Sequence, residues 1–161
     1  MTAGPPSVLL LCFGNPGRLD DGLGIELAEF IGAAGLDGVT VQADYQLQVE
    51  DAADIAAHDT VLFVDAAVSG PEPFFLRPVV PEASLGFSSH TLTPEALMAV
   101  ARDMFGARTA GYTLGIRGYD FNEFGESLSP AARQNLACAQ RFLLRTLRTR
   151  NFPTDDPEED D

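Results

Sequence analysis

Two kinds of hydrophobic pattern alternate along the first 65 residues. Val8-Leu9-Leu10-Leu11-Cys12-Phe13 and Val61-Leu62-Phe63-Val64 are unbroken apolar runs, the pattern of strands covered on both faces in a parallel sheet. Between them Leu23, Leu27, Phe30 and Ile31 recur at helical spacing, Val39-Thr40-Val41 reads as a short strand, and Val49 to Ala57 as a second helix. The order strand, helix, strand, helix, strand implies right-handed crossovers. It predicts an α/β fold, a three-layer α/β/α sandwich with a mostly parallel sheet of about five strands.

The second half is less regular. Phe74-Phe75-Leu76, bracketed by Pro73 and Pro78, predicts an edge strand, and Pro81 to Ser89 a loop. Thr93 as N-cap and Pro94 at the first helical position start a third helix, with Leu97, Val100, Ala101 and Met104 on its buried face. Tyr112 to Ile116 supplies another strand. Ser129 and Pro130 repeat the cap signal, and Ala132, Leu136, Ala139, Leu143 and Leu147 form the apolar stripe of a long final helix. The expected organisation is a flexible N-terminus over 1–6, one α/β domain over 7–150 and a disordered acidic tail over 151–161.

A chain of 161 residues, 45% hydrophobic, fits one well-filled core. Its formal charge is −14, but Asp155, Asp156, Glu158, Glu159, Asp160 and Asp161 supply six of those negative charges, leaving −8 on the rest. Both figures disfavour nonspecific binding to nucleic acid or an anionic membrane. The apolar runs are too short to span a bilayer, and Met1 to Pro6 lacks the layout of a signal peptide. A cytoplasmic protein is expected. Cys12 and Cys138 make no disulfide framework, and an apolar setting would withhold the thiolate of Cys12. Arg141, Arg145, Arg148 and Arg150 near the end of the final helix read as a solvated face that complements the macrodipole.

The loop from Gly14 to Gly24 follows the first strand directly and carries Asp20 and Asp21. Glycine-rich loops here usually cradle phosphate, yet two carboxylates repel an anion and the Gly-Lys-Ser/Thr ending is absent. A cation suits the loop better. Asp65 ends the third strand at the same end of the sheet, and His90 lies in the irregular Gly86-Phe87-Ser88-Ser89-His90-Thr91 segment before a helix. Two carboxylates and one imidazole suit a borderline divalent cation such as nickel, zinc, iron or manganese, with positions open for substrate or water. His58, at the end of the second helix, reads as a surface or helix-terminal group. A Ser88 or Ser89, His90, Asp65 triad lacks a nucleophile-elbow motif, and an Asp21–Asp65 dyad sharing one proton leaves His90 without a role.

These segments, together with Asp44-Tyr45-Gln46-Leu47-Gln48-Val49-Glu50, resemble in order and spacing the [NiFe]-hydrogenase maturation endopeptidases, from about Val8 to about Leu147. The resemblance implies metal ligation and catalysis by Asp21, Asp65 and His90, with Asp20 able to share the duty of Asp21, since some relatives carry the longer Glu there. It implies an aspartyl-type endopeptidase that removes the C-terminal extension of a hydrogenase large-subunit precursor after nickel insertion. The nickel would come with the substrate and not be held permanently. A non-catalytic, nickel-dependent checkpoint or scaffold for the same partner is the alternative. Tyr45, Gln46, Gln48 and Gly118-Tyr119 follow strands and are candidates to line the cleft.

Overall fold

A computed structural model describes residues 4–83 and 92–153. The order of elements is β1 (Val8–Phe13), α1 (Leu23–Ala34), β2 (Val39–Asp44), α2 (Asp51–Ala56), β3 (Thr60–Ala67), β4 (Phe74–Val79), α3 (Pro94–Phe105), β5 (Ala110–Arg117) and α4 (Pro130–Thr149). The sheet runs β2-β1-β3-β5-β4. Its first four strands are mutually parallel, and β4 pairs antiparallel with β5, Phe74 opposite Ile116.

The apolar runs divide by side-chain parity, as a period of two requires. Val8, Leu10, Cys12, Leu62, Val64, Leu114 and Ile116 face α1 and α4, packing on Leu23, Leu27, Ile31, Leu136, Leu143 and Leu147. Leu9, Leu11, Val61 and Phe63 face α2 and α3, against Ala52, Ile55, Leu97 and Met98. These two faces make the three layers. The whole predicted stripe of α4 is buried, and each fully buried leucine contributes roughly 1.5–3 kcal/mol.

Several boundaries move for identifiable reasons. Helix α2 starts at Asp51, because Val49 lies in the preceding turn and is exposed. Strand β3 continues past Asp65 to Ala67, since β5 offers partners as far as Arg117. On α3 the buried face is Ala96, Leu97, Met98, Ala99 and Ala101, whereas Met104 projects into solvent. Arg150 is not part of a solvated face: its guanidinium donates to the carbonyls of Pro6, Asp37 and Leu147, tying the end of α4 to the chain start and to the α1–β2 turn. Within the expected tail, Phe152 stacks on Tyr112 with centroids 5.2 Å apart.

Candidate functional site

All four parallel strands end on one side of the sheet, at Phe13, Asp44, Ala67 and Arg117. There the chain leaves β1 through Gly14, whose φ of 143° and close approach to the Asp21 carbonyl exclude any side chain; a Cβ would sit 2.2 Å from that oxygen. Gly24 plays the matching part at the start of α1. A Cβ there would lie 2.8 Å from the Phe13 carbonyl and 3.0 Å from that of Val64. The missing side chain lets the first turn of α1 rest on the ends of β1 and β3, bringing the loop aspartates to the third strand.

The two adjacent aspartates then diverge completely. Asp20 is fully buried, and its carboxylate accepts four hydrogen bonds. Oδ2 takes the N–H of Tyr119 (2.8 Å), the N–H of Asp120 (2.9 Å) and the hydroxyl of Ser129 (2.7 Å), while Oδ1 takes the Ser129 N–H (2.7 Å). A carboxylate has about four acceptor positions. Burial pushes its acidity down, but the donors from Asp120, Ser129 and Tyr119 outweigh that and hold the carboxyl below its usual range. All four donors come from the β5–α4 connection, three of them on Oδ2, so the carboxylate ties that connection to the loop after β1.

Asp21 is half-buried and keeps most of that capacity. Among the described residues its carboxylate accepts one bond, to Oδ2 from the Asn15 N–H at 2.8 Å. Asp65 is likewise half-buried on β3, and its Oδ1 accepts the N–H of Ala66 at 2.8 Å. Burial pushes the Asp65 carboxyl up to about 7; the Ala66 N–H opposes this, and the neighbouring charge of Asp21 adds to it. Two carboxylates in such mutual repulsion, one short of hydration, form a site that a cation would relieve.

His90, the third predicted residue, and Ser88 and Ser89 lie outside the described residues. The chain resumes at Leu92, and Thr93 caps α3 by accepting the Ala96 N–H at 3.1 Å. Among the described residues no three His, Cys, Asp or Glu side chains form a metal-sized cluster.

Other candidates sort clearly. The ring of His58 bonds the Asp54 carbonyl (2.6 Å) and the Thr40 hydroxyl (3.2 Å), near the start of β3 and away from the aspartates. The Cys12 thiol is buried and pushed up to about 12 by desolvation, which removes it as a nucleophile. Tyr45 and Asp44, with Gly14, Pro16, Ile25 and Ala43, line a groove of about 210 Å³ beside the Asp21 loop. Gln46 lines a second groove on the other side of β2, together with Asp51 and Leu47. Gln48 instead braces Asp44, to which it donates at 2.9 Å. Tyr119 is tied to Asp20 through its N–H and to Asn135 through its hydroxyl.

Sequence reasoning missed the pairing of Asp20 with Ser129, 109 positions apart. Its one visible sign was a polar cap, Ser129, that could accept a partner beyond its own helix.

No protein-family model and no curated protein matches the sequence. Solved structures do. The chain is similar to a [NiFe] hydrogenase maturation protease, HycI, from Thermococcus kodakarensis KOD1, with 20% identity over 91% of this chain and 95% of that one and a TM-score of 0.69. It is similar to the hydrogenase maturating endopeptidase HybD from E. coli, at 19% identity, 90% and 94% coverage and a TM-score of 0.69. A hydrogenase 2 maturation peptidase from Thaumarchaeota archaeon SCGC_AB-539-E09 matches at 19% identity, 88% and 98% coverage and a TM-score of 0.65. At these identities the likeness is one of fold, and it extends over nearly the whole of each chain. No helix among the described residues is long and apolar enough to cross a membrane.

Proposed function

We propose that this protein is an endopeptidase that removes the C-terminal extension of a [NiFe]-hydrogenase large-subunit precursor once nickel has been inserted. The observation that carries this reading is the pair Asp21 and Asp65 at the strand ends, close enough for the charge of one to raise the pKa of the other. The fold shared with hydrogenase maturation proteases supports this reaction class.

The nickel arrives with the precursor as part of the substrate. Two carboxylates with the His90 imidazole make an oxygen- and nitrogen-rich donor set that fits a borderline divalent ion, and bound nickel would supply Lewis-acid polarisation at the cleavage segment. The protein's own contribution is positional. The Asn15 N–H fixes one oxygen of Asp21, and the Ala66 N–H fixes one of Asp65. Asp65, with its carboxyl near neutrality, can hold or release a proton at Oδ when the cation approaches.

The test is a cleavage assay with nickel-loaded and nickel-free precursor, read by mass spectrometry. The nickel-loaded form is expected to shorten and the nickel-free form to stay intact. Asp65→Asn, Asp21→Asn and His90→Ala are each expected to lower the rate at least a hundredfold with circular dichroism unchanged. Equal processing of both precursors would overturn the metal-reading role. A precursor that binds but is never shortened would make the protein a non-catalytic checkpoint.

A further inference from the structure

The two edges of the sheet are protected very differently. Edge strand β4 contains Arg77 and Pro78 and follows Pro73, the usual devices that keep an edge from pairing. Edge strand β2, Val39-Thr40-Val41-Gln42-Ala43-Asp44, has no proline, no cation and a regular parallel register with β1. Its polarity can be read from the ladder ends. Val8 N–H donates to the Gly38 carbonyl (2.9 Å) and Gly14 N–H to the Asp44 carbonyl (3.1 Å), so the even-numbered residues turn their backbone groups toward β1. By the period of two, Val39, Val41 and Ala43 turn theirs outward. Val39 N–H is used by the Leu36 carbonyl. The outward groups of Val41 and Ala43 have no partner among the described residues.

This open edge ends at the candidate site. One groove, lined by Pro16, Ile25, Ala43 and Tyr45, lies on the α1 side of its last residues, and a second, lined by Gln42, Gln46 and Asp51, on the α2 side. Strand β2 through α2 carries Asp44, Glu50, Asp51 and Asp54 with no Lys or Arg. An added strand would place alternate side chains in the two grooves, one mostly apolar and one acidic.

We propose that the free edge of β2 receives an extended, cationic segment of the protein substrate as a sixth strand and leads it to the carboxylates at the strand ends. The proposal rests on the endopeptidase reading. Main-chain pairing at Val41 and Ala43 supplies affinity, and the alternation of apolar and cationic side chains supplies selection. A second copy of this chain is a poor occupant, since each carries a formal charge of −14.

The test mixes the full-length protein with saturating hydrogenase large-subunit precursor from the same organism and follows backbone amide exchange together with precursor length. Exchange at Val41 and Ala43 is expected to slow at least tenfold, with no slowing along β4. In a steady-state assay Ala43→Pro, which removes an outward N–H and leaves the β1 ladder intact, is expected to raise KM about tenfold with little change in kcat, the scale of one or two lost hydrogen bonds. Should Ala43→Pro unfold, the exchange of the unaltered protein still decides. Cleavage with unchanged exchange at both amides overturns the docking edge. So does protection that appears without precursor and grows with protein concentration alongside dimers in sedimentation, which would assign the edge to a second copy. If the precursor is not shortened, the endopeptidase reading fails, while amide protection by the precursor would still uphold docking and its absence would overturn it.

Discussion

Asp20 and Asp21 are neighbours in one 3-10 turn, yet they belong to opposite kinds of region. Around Asp20 four donors from the β5–α4 connection converge on one carboxylate, which is fully buried. Around Asp21 and Asp65 each carboxylate has one fixed backbone donor among the described residues and a partner of its own sign. The first region lowers the energy of the folded chain. The second raises it, which is the ordinary condition of a site that awaits a ligand. Residue type alone does not separate a structural carboxylate from a reactive one; the count of donors does.

The sharpest way to break this comparison is to remove each carboxylate in turn. Asp20→Ala leaves three backbone N–H groups and the Ser129 hydroxyl without their acceptor inside the protein, and is expected to cost about 4 kcal/mol. Asp21→Ala frees a single N–H beside solvent and is expected to cost about 1 kcal/mol or less. Urea unfolding measures both. Equal losses would dissolve the distinction between the two regions, whatever the effect on processing.

A second test uses the sign of the strain at Asp65. Its folded carboxyl titrates at about 7, above the value of 3.8 expected in the unfolded chain. Below about pH 4 both states carry the proton and the residue has no effect on stability. As pH rises from 4 to 7 the unfolded chain ionises first, so stability falls, and above 7 the full cost is present. The difference between the two values corresponds to an upper bound of roughly 4 kcal/mol, and a relaxed surrounding reduces that to an expected gain of about 2 kcal/mol for Asp65→Asn at pH 8. At pH 4 the variant and the parent should coincide. A gain that is equal at both pH values would place its cause in packing and not in charge.

How far the sequence alone reached follows the same division. Continuous apolar runs and helical stripes report which side chains leave water, so the layers, the parallel strands, the β4 edge and the buried face of α4 were all legible. Which of the residues in Val8–Phe13 faces which helix pair emerged only in the fold. What was not legible depends on contacts between distant segments. Met104 occupies a helical-stripe position, yet it stands one residue from the end of α3 and is exposed. Asp20 and Asp21 look alike until the Tyr119–Ser129 connection folds back on one of them. The Asp65 position was readable from the strand pattern, whereas its raised pKa comes first from burial and then from the charge of Asp21, whose approach Gly14 and Gly24 allow. His90 was singled out by its loop context and lies outside the described residues.

The smallest effect isolates the Ser129–Asp20 bond itself, using two helix starts with the same local chemistry. Thr93-Pro94 and Ser129-Pro130 both place a hydroxyl at the N-cap and proline at the first turn, and both hydroxyls accept the N–H three residues on, at 3.1 and 3.2 Å. From sequence they are equivalent, and removing either hydroxyl should cost about 1 kcal/mol as a cap. In the folded chain only Ser129 also donates to Asp20, at 2.7 Å, a bond to a charged group that adds roughly 1.5 kcal/mol. Ser129→Ala is therefore expected to destabilise more than Thr93→Ala by about that difference. A double-mutant cycle with Asp20→Asn should recover a coupling near 1 kcal/mol for Ser129 and none for Thr93. Equal losses at the two caps, or no coupling to Asp20, would mean that the backbone donors alone hold this carboxylate in place.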